Sequence, residues 1–266
     1  MHWTGRSIDL RSKIGAIELN YLIDGKPNLP WLVFSNSVAT DTSLWEAQVP
    51  TLKDRFQVLR YDHRGHGLSD VPEGEYSIDM IADDLFKLVE SLNITKASFV
   101  GISMGGMTVL TLAKKHPEMV EKLIVCDCGP SASPASAQQW LERIELVSAQ
   151  GMESIVAETL GRWFTKETLE SKDPLLDKVA EMIRKTPARG FIGAAHALAT
   201  FDLRPGLASL GVPTLFLAGE HDAVVGGTRA LSETVPNAKF KAISRAGHLC
   251  NLENPKEFLS TLLEFL

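Results

Sequence analysis

Residues 97–106 read Ala-Ser-Phe-Val-Gly-Ile-Ser-Met-Gly-Gly, and MTVLTLAKKH follows at 107–116. ASFVG is a short, continuously apolar run of the kind buried on both faces of a parallel sheet. Gly-Ile-Ser-Met-Gly at 101–105 then turns the chain from strand to helix, the G-x-S-x-G context in which a strained bend holds a serine out at the carboxyl end of a sheet. Gly101 and Gly105 are needed because a Cβ at either place would collide with the neighbouring strand or helix. The bend also aims the positive end of the next helix at any oxyanion formed beside Ser103. A glycine-rich junction with an incidental serine is the bland alternative; the strand before and the helix after favour a nucleophile.

Working outward, the same alternation repeats. SIDLRS and AIELNYLID, broken by Gly15 and by Asp24-Gly25, predict an antiparallel hairpin that opens the sheet. After Pro30, WLVFS predicts a buried strand, and SLWEAQVPTL places Leu44, Trp45, Gln48, Val49 and Leu52 at helical spacing. QVLRYD is the next strand, and IADDLFKLVESL the next helix, with Ile81, Leu85, Leu88, Val89 and Leu92 on one face. EKLIVCDC is again a strand. Strands alternating with helices imply right-handed crossovers and a mostly parallel sheet with helices on both faces. From about Gly129 to Thr200 the strand signal disappears; QQWLERIELV, SIVAETLGRWF and LLDKVAEMIR read as amphipathic helices of an inserted unit. The sheet pattern resumes at VPTLFLAGEHD and KFKAIS. NPKEFLSTLLEFL closes the chain as a helix, capped by Asn254, opened by Pro255, with Phe258, Leu259, Leu262 and Leu263 inward.

Length and composition bound the function. The 266 residues suit one α/β core with an inserted subdomain, and 44% hydrophobic with 23% charged residues is ordinary for a globular enzyme. No stretch approaches the roughly 18 consecutive apolar residues of a membrane helix. The start, MHWTGRSIDLRSK, lacks a signal-peptide core, so a cytoplasmic location is expected. Net charge is −6 with scattered Lys and Arg, which argues against nucleic acid or an anionic membrane as partner and for a small molecule. Cys126, Cys128 and Cys250 are too few, and wrongly spaced, for a disulfide framework or a zinc site. His63 and His66 in Asp62-His63-Arg64-Gly65-His66-Gly67 lack the Glu of a metal-binding helix and read as a tight structural loop tied down by Asp62 and Arg64. No cofactor and no metal is expected.

A serine hydroxyl is a poor nucleophile until a base takes its proton and a third group fixes the base's tautomer. Downstream, Asp222 sits in AGEHD just past a strand and His248 in RAGHLCN after the next, giving the order Ser, Asp, His. His221 is a second candidate base, although neighbours on an extended segment point apart. Asp127, which ends the preceding strand, is a second candidate acid. Two backbone amides should hold the oxyanion: that of Met104 and, on alignment with the usual His-Gly turn, that of Val38 in Ser35-Asn36-Ser37-Val38 after WLVFS, where Asn36 and Ser37 replace His-Gly and an ordinary polar loop is the bland alternative.

YDHRGHGLSD, GISMGG, AGEHD and AGHLCNLENP together resemble the α/β-hydrolase superfamily over essentially the whole chain. The resemblance implies an α/β-hydrolase fold: an eight-stranded, mostly parallel sheet with helices on both faces and a helical cap inserted after the sixth strand. It divides the chain into a core of 1–128 and 201–266 and a cap of 129–200. Within the superfamily, SNSVATDTSLW, Arg-Trp-Phe at 162–164 and FDLRP at 201–205 resemble the 3-oxoadipate enol-lactonases of aromatic catabolism, which implies hydrolysis of a small lactone or ester through an acyl-enzyme. Two segments depart from those lactonases: Asp127-Cys128-Gly129-Pro130 stands where they usually carry Asn-Thr-Ala, and DAVVGG replaces a proline-bearing stretch. A substrate with a free carboxylate needs a cation in the cap, for which Arg143 and Arg162 are the candidates, with Trp140 and Trp163 as apolar walls; solvated arginines and core tryptophans are the bland alternative. A general carboxylesterase, a carbon–carbon hydrolase of meta-cleavage products and a hydrolase-fold ligand receptor are the rival readings, and a monomer or small homo-oligomer is expected.

Overall fold

The computed structural model describes residues 10–266. The chain start read for a signal peptide, and the first three residues of SIDLRS, lie outside the described residues. Eight strands form one sheet: β1 (Leu10–Ile14), β2 (Ile17–Asp24), β3 (Trp31–Ser35), β4 (Gln57–Tyr61), β5 (Ala97–Ile102), β6 (Val120–Cys126), β7 (Thr214–Gly219) and β8 (Lys239–Ile243), in the order β1-β2-β4-β3-β5-β6-β7-β8. β1 and β2 form the expected hairpin, with Ile14 opposite Ile17 around Gly15, and β2 lies antiparallel to β4. Every other pairing is parallel. β5 and β7 are buried at every residue, which a strand achieves only when both faces of its sheet are covered.

The helices are α1 (Val49–Leu52), α2 (Ile78–Ser91), α3 (Met104–Lys115), α4 (Pro134–Gln150), α5 (Val156–Trp163), α6 (Lys166–Ser171), α7 (Pro174–Lys185), α8 (Ala188–Thr200), α9 (Val225–Thr234), α10 (Cys250–Glu253) and α11 (Pro255–Phe265). Their ends follow local chemistry. Ser77 caps α2 by accepting the Met80 amide, Ser133 and Ser136 form a capping box around Pro134, and Asn254 caps α11 ahead of Pro255. On α2 the predicted face is buried at Ile81, Leu85, Leu88 and Val89, while Leu92 is half-buried; on α11 Phe258 and Leu262 are fully buried.

SLWEAQVPTL departs from its prediction. It forms a 3-10 turn at Thr42–Trp45 and then the four-residue α1, not one helix. Pro50 is the reason: its ring would strike the carbonyl one turn back, and it has no amide to continue the ladder, so it is tolerated only in a first turn. α9 escapes the sequence pattern because Gly226 and Gly227 occupy its start and mask its periodicity.

Between β6 and β7 the chain forms α4 to α8, the helical insertion expected after the sixth strand. Its entry and exit are joined: Ser131 bridges Asp202, the Ala132 amide donates to Phe201 O at 2.9 Å, and the Leu203 amide donates to Pro130 O at 2.8 Å. Among the described residues no helix is long and apolar enough to cross a membrane.

Candidate active site

Ser103 sits between β5 and α3 with φ 56° and ψ −120°, a left-handed backbone that is costly for a residue with a Cβ. Its amide donates to Cys126 O at 2.8 Å, which ties the bend to the end of β6. The glycines are required as expected: a Cβ on Gly101 would lie 2.1 Å from Gly105 O, and one on Gly105 would lie 2.1 Å from Ser35 O. That close approach packs the start of α3 against the turn after β3. Met104, fully buried, is the first residue of α3, where a helix amide has no intrahelical acceptor. Val38 is also buried, in a turn held by Asn36, whose Nδ2 donates to Tyr61 O at 2.7 Å and whose Oδ1 accepts Trp45 Nε1 at 2.8 Å.

Asp222 and His248 follow β7 and β8, and the structure brings them together. His248 Nδ1 lies 2.9 Å from Asp222 Oδ2. A carboxylate can only accept, so Nδ1 carries the hydrogen and Nε2 is the basic nitrogen of the neutral ring. Burial pushes the Asp222 carboxyl up, but the His248 ring, the bond to it and a contact with Asp127 outweigh burial and hold it below its ordinary value. Among the hydrogen bonds of the described residues none joins the Ser103 hydroxyl to the His248 ring, although both stand at the carboxyl edge of the sheet, after β5 and β8. His221 is exposed.

The histidine loop is anchored to the inserted helices. The His248 amide donates to Trp163 O at 2.8 Å, and the two rings stack with centroids 6.0 Å apart. Glu253 clamps the same junction, accepting from the Gly247 amide at 2.5 Å through Oε2 and from the Thr165 amide and hydroxyl at 2.9 Å through Oε1. Glu253 was not legible as a site residue, because it pairs with main-chain donors from two distant segments.

The four candidate pocket residues separate. Trp163 is buried beside His248, while Trp140 is half-buried and packs on Phe191. Arg143 is only 5% exposed, with its guanidinium over the rings of Trp140 and Phe191 and a bond from Nη2 to the Thr159 hydroxyl. Among the described residues its buried Nε has no hydrogen-bond partner, the Glu158 carboxylate standing 4.0 Å away, and burial pushes its pKa down to about 10. Arg162 is exposed and pairs with Glu158 at 3.6 Å.

The Asp62–Ser69 loop is a structural knot. Asp62 accepts from Asn20 Nδ2, the Thr42 amide and the Leu68 amide at 2.8–3.0 Å, and Arg64 makes a two-point contact with Asp84 at 2.5 and 2.7 Å. Among the described residues, Asp127, Asp222 and His248 form the one group of three spaced closely enough to hold a metal ion. Their donors are already committed: Nδ1 of His248 to Asp222, and the two oxygens of Asp127 to the Gly219 amide and the Cys250 thiol.

The family of alpha/beta hydrolase fold proteins matches residues 30–255 of the chain. This protein is an α/β-hydrolase. The hydrolase is 37% identical over 250 residues to 3-oxoadipate enol-lactonase 1 of Acinetobacter baylyi, covering 93% of this chain and 92% of that protein. Its fold superposes on the enol-lactonase of Burkholderia xenovorans LB400 with a TM-score of 0.92 at 34% identity, over 96% of this chain and 99% of that one. It is similar as well to a thermophilic esterase from Thermogutta terrifontis, with a TM-score of 0.89 at 29% identity over 98% of each chain.

Proposed function

We propose that this α/β-hydrolase cleaves a small lactone or carboxylic ester through an acyl-enzyme on Ser103, with His248 as general base and acid, Asp222 as the group that orients the ring, and the amides of Val38 and Met104 as oxyanion donors. The observation that carries the reading is the 2.9 Å bond from His248 Nδ1 to Asp222 Oδ2, because it leaves Nε2 as the nitrogen able to take a proton from serine. Ser103 Oγ adds to the carbonyl carbon as its proton passes to Nε2; the tetrahedral intermediate expels the leaving oxygen, which takes that proton. Water then adds to the acyl ester, gives a proton to Nε2, and the carboxylic acid departs as Ser103 recovers its hydrogen. The hydroxyl–imidazole bond forms as substrate takes its place, since catalytic bonds of this kind are commonly long before substrate binds.

The substrate we favour is 3-oxoadipate enol-lactone, supported by the two lactonases above and by Arg143. A buried guanidinium whose Nε makes no hydrogen bond among the described residues, with only Glu158 at 4.0 Å, suits the free carboxylate that such a lactone carries, whereas Arg162 is solvated. Residues 129–200 act as the cap that supplies this cation and the Trp140 and Trp163 walls over a core of 1–128 and 201–266. Rates on enol-lactone, phenyl acetate and a meta-cleavage product, measured side by side with Ser103→Ala, test the reading. We expect the lactone to be turned over best and Ser103→Ala to lose activity on every substrate. A folded Ser103→Ala enzyme at wild-type rate overturns the mechanism, and preference for phenyl acetate overturns the substrate.

A further inference from the structure

Asp127 stands directly behind the proposed relay. It follows β6 with φ 50°, its amide donates to Leu217 O at 2.9 Å, and the residue is 1% exposed. Oδ1 accepts the Gly219 amide at 2.7 Å, and Oδ2 accepts the thiol of Cys250, two residues past His248, at 2.9 Å. One oxygen of Asp127, one oxygen of Asp222 and a ring nitrogen of His248 all lie within 4.8 Å of one another. Two carboxylates so close, away from water, cannot both stay charged unless a cation stands between them. Among the described residues the titratable groups facing Asp127 are Asp222, the thiols of Cys126, Cys128 and Cys250, which burial pushes up and so keeps uncharged, and the His248 ring, whose Nδ1–H already goes to Asp222; none is a lysine or an arginine.

We infer that Asp127 is a positioning residue that keeps its proton and shares it with Asp222, so that the acid behind His248 is a carboxylic acid–carboxylate pair carrying one negative charge. The inference rests on the triad reading above. Burial, the Asp222 charge and the bond to Asp222 all push the Asp127 carboxyl well above the ordinary range, while the same bond lowers Asp222. A hydrogen bond donated by Asp127 spreads the charge on Asp222, weakens its hold on the imidazolium form of His248 and so sets how strong a base the ring is. It also fixes the Asp222 carboxyl against the end of β7 through Gly219.

The sign of a pH shift tests this. Asp127→Leu removes the donor without removing charge, so the imidazolium is held more tightly and the acidic limb of the kcat profile moves up, by roughly half a pH unit or more. Asp127→Asn, whose amide can still donate to Asp222 and accept from Gly219, brings the limb back toward wild type. If Asp127 is charged instead, both variants remove a negative charge beside the ring and the limb moves down in both, which overturns the inference. The infrared carbonyl stretch of a protonated carboxylic acid gives a second measurement should Asp127→Leu not fold. The band is expected in wild type and in Ser103→Ala, and lost in Asp127→Asn; its absence from wild type, or its persistence in Asp127→Asn, overturns the inference. The band does not depend on turnover, so it separates a failure here from a failure of the triad reading, which Ser103→Ala activity reports.

Discussion

Gly105→Ala probes the geometry on which the oxyanion depends. The added Cβ would sit 2.1 Å from Ser35 O and 2.6 Å from Asn36 O, where real Cβ atoms essentially never come closer than 3.0 Å. Both obstacles are main-chain atoms, so no side chain can swing aside, and α3 must part from the turn after β3 by roughly 1 Å. Met104 precedes the altered residue and Val38 lies in the displaced turn, so the wedge enters between the two amides proposed to hold one oxygen. Overpacking of this kind costs about 1–3 kcal/mol, and each kcal/mol lowers Tm by roughly 2–4 °C in a domain of nearly this size. Loss of one oxyanion donor costs about 10²–10³ in kcat. We expect both effects, a fall of several degrees in Tm by calorimetry and a fall of at least about 10²-fold in kcat on an aryl ester, with KM far less affected. Gly106→Ala is the milder comparison, because its Cβ would meet Cys126 O at 3.0 Å and Gly101 O at 3.2 Å, main-chain atoms that need give by only a few tenths of an ångström. A folded Gly105→Ala enzyme with kcat within a few-fold of wild type would refute the proposal that these two amides bind the oxyanion.

Asp222→Asn should lower kcat by about 10⁴ while leaving the melting temperature nearly unchanged, since an amide can hold the ring in the wrong tautomer; activity within ten-fold of wild type would transfer the role to Asp127. Arg143→Ala should reduce kcat/KM on the enol-lactone by about 10–10², the worth of a charged hydrogen bond, and spare phenyl acetate, whereas equal losses on both would make Arg143 structural. Glu253→Gln should lower both Tm and kcat, because one carboxylate bridges the Gly247 amide and Thr165; the loss of paired charge-assisted bonds is worth about 1–3 kcal/mol, and unchanged denaturation and kinetics would count against the clamp. Burial holds the rings of His63 and His66 neutral, pushed down to about 3 and about 4, against about 6.5 in an unfolded chain. Their contribution is complete above pH 6.5 and is lost as the pH falls toward 4, because the unfolded chain then binds protons that the folded one does not. Burial pushes neighbouring Asp62 up to about 6, which works in the opposite sense below that pH and offsets one of the two histidines. Urea denaturation should therefore show stability declining by up to about 1 kcal/mol per pH unit from these groups between pH 6 and 4, and His66→Gln should flatten that slope.

The elbow, the strand–helix alternation and the chain order of Ser103, Asp222 and His248 were legible in the sequence because each is a local pattern. A bend that admits only glycine at two places, an apolar run too short for a helix and a proline after a capping asparagine are settled by residues within a turn of one another. Between Leu44 and Leu52 the apolar spacing is helical, yet the missing amide of Pro50 prevails in the fold. What tertiary structure alone decided is which distant groups share one low-dielectric space. Asp127 and Asp222 are 95 positions apart, and no periodicity says that their carboxyls meet, that Cys250 donates to one of them, or that Glu253 joins two loops. Likewise Arg143 and Arg162 are alike as letters, and only the packing of α4 on α8 buries the first and leaves the second in water. Local sterics write secondary structure into neighbouring residues, whereas burial and proton sharing depend on what the folded sheet brings alongside, and that is fixed only when the whole core closes.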